Sequence, residues 1–299
     1  MTLKKCHIAL GVLGIVMALS ACQPVPPANP VPNGKINVMA SFYPLYELAQ
    51  KVAGDRANVT RVIPEQTEPH DYEPTPRQIE EVYRANLFIF NGFGLDPWAE
   101  RLQKDLESKG VAVLPVALNL GLATSDDPHF WLDPVLAQKE VGLIRDALTK
   151  ADPDGRSAYK TNAAAAVIQL QKLDQAFKNS LKSCPTREIV VSHDAYSYLA
   201  RRYQLTLLPI AGLSPEQEPS PQTLADLVQT VQQKKIKFIF FETLASPRLA
   251  ETLARETGAQ SLVLNPLEGR TAAEIQSGAD YFSLMQNNLK NIRMALQCR

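Results

Sequence analysis

The sequence predicts an α/β protein of two similar lobes, each built on a parallel sheet and joined to the other by one long rigid helix. Three observations predict it. Short β-branched runs alternate with segments of helical length, the pattern of parallel strands with crossover helices. The same order returns after residue 185, and between the halves Arg156 to Ser183 runs without a glycine or a proline.

In the first half, strands are expected at Ile36–Ala40, Asn58–Ile63, Leu87–Phe90 and Val111–Leu114, with helices over Leu45–Val52, Arg77–Arg84 and Asp96–Ser108. In the second half they are expected at Glu188–Val191, Leu205–Leu208, Phe238–Phe241 and Ser261–Leu264. In the connector, Val167, Leu170, Leu173, Phe177 and Leu181 recur every three to four residues, which is one helical face. Asp152-Pro153 offers a cap and a first-turn proline. At 1.5 Å per residue this stretch spans about 42 Å, and such a rod is expected to limit hinge opening. Its apolar pattern is too short for a coiled coil.

Composition bounds the function. With 299 residues, 45% apolar and 21% charged, the chain is neither disordered, collagenous nor a polytopic membrane protein, and it is long enough for two cores. Lys+Arg and Asp+Glu both number 31, with no basic run, so no nucleic-acid partner is expected. Lys4 and Lys5 precede an apolar run from Ile8 to Leu19 that is too short to favour a membrane-spanning helix, so residues 1–21 read as a secretory signal. Leu19-Ser-Ala-Cys22 resembles the bacterial lipobox, which makes Cys22 the acylated residue of an exported, lipid-anchored protein. Residues 22–34 are a proline-rich tether. The expected divisions are then an N-terminal lobe over 35–150, the connecting helix over 151–184 and a C-terminal lobe over 185–299. In an oxidising compartment Cys184 and Cys298 either pair, closing a long loop worth roughly 4–5 kcal/mol, or stay as buried thiols.

Once the signal is removed, the only histidines are His70, His129 and His193. Each follows a predicted strand of a parallel sheet, and ligands bind in the crevice beyond the strands' carboxyl ends. Taken singly, each reads more readily as a packed or solvated side chain than as a ligand. Taken together, they predict three imidazoles meeting in a cleft between the lobes, which is a donor set for a divalent ion such as Zn²⁺. No short zinc motif is present.

Several segments then carry a resemblance: Glu68-Pro-His-Asp-Tyr-Glu-Pro-Thr-Pro76, Asn91-Gly-Phe-Gly-Leu-Asp-Pro-Trp98, Asp127-Pro-His-Phe-Trp-Leu-Asp-Pro134, Ser192-His-Asp-Ala-Tyr196, Phe241-Glu242 and Leu264-Asn-Pro-Leu-Glu-Gly269. They resemble the zinc/manganese substrate-binding lipoproteins of bacterial ABC transporters, from about residue 36 to the C-terminus. The resemblance implies a metal-binding, non-catalytic component that passes its ion to a membrane permease. It also implies that His70, His129 and His193 are the ligands. A histidine in the third place, where manganese members carry glutamate, implies Zn²⁺ as the transported ion ahead of Mn²⁺. The family's usual fourth ligand, an aspartate, falls on Asn265, a weaker neutral donor; Glu68 is a possible substitute. The His-rich loop of many zinc members has no counterpart in Asn119–Asp127. The partners expected are the ion, the permease and, through the lipid, the membrane, with the protein acting as a monomer. The competing readings are a manganese-binding homologue, a zinc hydrolase using a three-histidine-bound water, and a surface adhesin with a structural metal.

Overall fold

The computed structural model describes residues 34–122 and 127–299. The predicted signal, Cys22 and nearly all of the tether lie outside the described residues. The first sheet contains β1 (Ile36–Ala40), β2 (Ala57–Arg61), β3 (Leu87–Phe90) and β4 (Ala112–Pro115). Its helices are α1 (Tyr43–Ala53), α2 (Pro76–Tyr83), α3 (Pro97–Ser108) and the single turn α4 (Val116–Asn119). Two long helices follow, α5 (Pro134–Ala151) and α6 (Arg156–Ser180). The second sheet contains β5 (Glu188–Val191), β6 (Thr206–Pro209), β7 (Phe238–Phe241) and β8 (Gln260–Val263). It is interleaved with α7 (Ser197–Tyr203), α8 (Pro221–Gln233) and α9 (Arg248–Thr257), and α10 (Ala272–Gln276) and α11 (Tyr281–Ala295) close the chain.

Both sheets are parallel throughout and share one topology, β2-β1-β3-β4 and β6-β5-β7-β8. The inner strand β3, Leu-Phe-Ile-Phe, is buried at every position, whereas the edge strand β2 alternates, as expected of strands covered on both faces and on one. Local chemistry sets the helix starts. Pro76 and Pro221 occupy first turns behind Thr75 and Ser220, whose hydroxyls accept from Gln78 N and Thr223 N.

The connecting helix is α6, of 25 residues, shorter than predicted at its C-terminal end. Its predicted cap serves another purpose: Asp152 binds Arg56 and Tyr159, and Pro153 opens a separate 3₁₀ turn. The helix stops at Ser180 because the chain turns into Cys184, which is bonded to Cys298, while Arg299 N donates to Ser183 O. Tyr159, Leu170, Leu173 and Phe177 of α6 are buried in a single core that also holds Val38 and Leu87 of the first lobe and Ile189 and Tyr281 of the second. Two smaller apolar clusters cover the outer face of each sheet. Among the described residues, no helix is long and apolar enough to cross a membrane.

Candidate metal centre

The strand order of each sheet reverses at its first strand, and the loops leaving the strands' carboxyl ends there face each other across the lobes. His70 stands on the loop from β2 to α2, and His193 stands two residues beyond β5. His129 comes from the segment between α4 and α5, where its backbone N–H donates to Asp127 Oδ1 at 2.9 Å and turns the chain into a 3₁₀ turn. The Asn91–Trp98 segment braces this loop. Asp96 accepts from Asn91 N and Gly92 N, and Asn91 Nδ2 then donates to Pro128 O at 3.0 Å.

The three imidazoles converge, and a carboxylate from the loop after β8 joins them. His129 Nε2 lies 3.1 Å from His70 Nε2, 3.3 Å from His193 Nε2 and 3.2 Å from Glu268 Oε1. Glu268 Oε1 is 3.3 Å from His70 Nε2 and 3.8 Å from His193 Nε2. A tetrahedron with metal–nitrogen bonds of the length zinc makes has edges of about 3.3–3.4 Å, so these spacings are those of four donors around one ion. His129, His193 and Glu268 are buried, and His70 is the least enclosed of the four.

The opposite ring nitrogens are held by further carboxylates. Asp127 Oδ1 lies 2.8 Å from His129 Nδ1, and Glu242 Oε1 lies 2.6 Å from His193 Nδ1 and is also bound by the Ser192 hydroxyl. A carboxylate at Nδ1 selects the tautomer whose Nε2 lone pair points inward. Trp131 packs on His129 and its indole N–H donates to Pro266 O at 2.8 Å, while the Tyr281 hydroxyl donates to Trp131 O. The loops carrying His129 and Glu268 are thereby tied across the lobes.

Charge in the cluster favours a bound proton wherever no cation sits. Burial alone would lower the His129 pKa, but hydrogen bonds to Asp127 and Glu268 outweigh it and hold the imidazolium up at about 9. Burial would raise Glu268, yet the hydrogen bonds from His129 and His70 keep its carboxyl far below the usual range. Glu68 is pushed up to about 7 by burial and by the nearby charge of Glu268. A divalent cation entering here displaces protons and takes over their role of neutralising Glu268.

The structure brings His70, His129 and His193 together and places the fourth group differently from the sequence reading. Asn265 stands outside the cluster: its Oδ1 accepts from Leu267 N at 2.7 Å and its Nδ2 donates to Glu274 Oε1 at 2.9 Å. Both ends of the amide are thus engaged in shaping the loop that presents Glu268. Glu68 turns back on its own turn, accepting from His70 N, with Oε1 3.9 Å from His70 Nε2. Glu268 and the orienting Glu242 were not singled out from the sequence as site residues. Both lie just beyond strand ends of the second sheet, as the histidines do, and that position was the available signal.

Residues 38–295 match the family described as "ZnuA: Zinc-uptake complex component A periplasmic". The high-affinity zinc uptake system protein ZnuA of Bacillus subtilis (strain 168) is 36% identical over 280 residues, covering 88% of each chain. The zinc-binding lipoprotein AdcA of Streptococcus pneumoniae is 36% identical over 309 residues, 97% of this chain but 61% of its own length. The crystal structure of the Zn(II)-bound ZnuA-like domain of Streptococcus pneumoniae AdcA superposes with a TM-score of 0.79 at 39% identity, over 88% of this chain and 99% of that domain.

Proposed function

This chain belongs to the family of periplasmic zinc-uptake complex component A proteins, and from that premise we propose that it captures Zn²⁺ outside the cytoplasm and delivers it to the permease of an ABC transporter. The observation that carries the reading is the cluster of His70, His129, His193 and Glu268, whose donor atoms all lie within 4.8 Å of one another. In this reading those four are the ligands, and Asp127 and Glu242 orient the two inner imidazoles. Three imidazoles and one carboxylate suit zinc better than manganese, which prefers sets richer in oxygen.

The ion is cargo. Four protein donors close a tetrahedral site, whereas catalytic zinc keeps one position for water. That supports a carrier over a hydrolase. Entry is past His70, the ligand nearest solvent. Residues 1–21 act as the export signal, Cys22 carries the lipid and 22–34 hold the lobes of 35–150 and 185–299, with their connector 151–184, near the membrane as a monomer.

Elemental analysis of the chain purified without chelator, followed by competition between zinc and manganese, tests the reading. One Zn²⁺ per chain and a clear preference for zinc are expected. No bound metal after zinc loading, or a preference for manganese, would overturn it.

A further inference from the structure

The loops that carry His70 and Glu268 belong to different lobes, yet they abut. A Cβ at Gly269 would lie 3.6 Å from Thr67 O and 3.7 Å from Gln66 N, ordinary van der Waals distances that place the second lobe's loop directly against the first, and 2.9 Å from the Leu244 side chain of its own lobe. Next to this contact, Arg270 Nη2 donates to Glu65 Oε1 at 2.6 Å and Nη1 donates to Ala279 O at 2.8 Å. The guanidinium also lies over the Tyr43 ring, 4.6 Å from its centroid, and Arg61 pairs with the same Glu65 carboxylate at 3.0 Å. Glu65 and Arg270 are only 12% and 16% exposed at their side chains. Glu65 precedes His70 by five residues, and Arg270 follows Glu268 by two.

We infer that Glu65 and Arg270 form an inter-lobe latch that holds His70 and Glu268 at coordinating distance and thereby sets the rate at which zinc is released. The inference rests on the zinc-capture reading above. A latch must open as well as close, and the surroundings of this pair favour opening. Arg270 Nε, Glu65 Oε2, Arg61 Nε and Tyr43 Oη are buried with no hydrogen-bond partner among the described residues. Each recovers hydration when the loops part, so at this point the closed arrangement rests on the guanidinium–carboxylate contact, on the guanidinium over Tyr43 and on an ion joining His70 to Glu268. The other charged inter-lobe contacts sit elsewhere: Lys51 binds Asp280, and Arg202 binds Asp133. The Glu65–Arg270 pair is the one that joins the loop of His70 to the loop of Glu268. These are positioning residues, because neither reaches the donor atoms.

The test compares zinc release into excess chelator from the wild-type chain, Glu65→Gln, Arg270→Lys and the double variant, alongside zinc capture rates, the thermal midpoint of each metal-free form and the visible spectrum of the Co²⁺-loaded forms. Release is expected to accelerate roughly tenfold or more in each single variant, with capture changed by less than about twofold. Because both substitutions break the same contact, the double variant should release no faster than Glu65→Gln, and the cobalt bands of both variants should shift as Glu268 loosens. Arg270→Lys keeps the charge and carries the test should Glu65→Gln not fold, since an ammonium cannot span Glu65 and Ala279 O as the planar fork does. Wild-type release rates and cobalt spectra in the folded variants, with only the metal-free midpoint lowered, would reduce the pair to an ordinary structural ion pair and overturn the latch. Accelerations that multiply in the double variant would overturn it too. A wild-type chain that takes up no zinc in the same titration would instead sink the capture reading itself.

Discussion

His129 stands at the centre of the cluster, with its Nε2 within 3.3 Å of His70, His193 and Glu268. Replacing it by alanine removes a donor whose ring Asp127 orients, so zinc affinity should fall by about tenfold or more, and Glu268→Gln should do the same; calorimetric competition titration measures both. Asn265→Asp should bring no gain in zinc or manganese affinity, because that side chain faces Leu267 N and Glu274 rather than the donor atoms. Proton competition gives a third test at this scale. With His129 held up at about 9, an empty site keeps a proton through neutral pH, and zinc must displace it. Apparent affinity should therefore keep rising with pH past about 6.5, the midpoint at which a free imidazole loses its proton, up to about 9. Titrations across that range check this, and a plateau from pH 7 upward would contradict it.

At the scale of elements, α5 carries a carboxyl that the site does not use. Glu140 is fully buried, and neither of its oxygens has a hydrogen-bond partner among the described residues. Burial first, and then the charge of Asp133, push it up to about 8. The folded chain therefore holds an extra proton between the unfolded value, about 4.3, and about 8, and its stability falls as pH rises through that window. Glu140→Gln should flatten the dependence and stabilise the protein by about 1–3 kcal/mol at pH 8, as read by denaturant unfolding at pH 5 and pH 8. The bond from Cys184 to Cys298 joins the start of the second sheet to the end of α11. It lies at the opposite end of that sheet from His193. Cys298→Ser should cost about 2–5 kcal/mol of stability and leave zinc affinity nearly unchanged.

Across the whole molecule, α6 is buried in a core shared by both lobes rather than strung between two separate ones. Wide hinge closure would have to break that packing, so zinc loading should change the radius of gyration little. Protection from hydrogen exchange should concentrate at residues 66–74, 127–133, 192–197 and 264–271, the segments that the ion bridges. Scattering and exchange on metal-free and zinc-loaded protein decide this. Altered exchange along α6 together with a large contraction would mean that a hinge dominates.

The sequence by itself determined the repeating α/β order, the inner strands β1, β3, β5 and β7 to the residue, and the three histidines that meet. These follow from local chemistry: β-branched runs bounded by turns, and parallel strands whose carboxyl ends gather ligands. The outer strands are shifted by a residue or two, β2 running Ala57–Arg61 and β4 Ala112–Pro115, and the expected cap Asp152 is held instead by Arg56 and Tyr159. Only the tertiary structure decided that Glu268 rather than Asn265 completes the cluster, that Glu242 orients His193, and that Glu65 meets Arg270 across 205 residues of chain. No periodicity or spacing encodes such pairs. Which carboxylate reaches which nitrogen depends on how two lobes dock, and that is set by a shared core rather than by any neighbouring sequence.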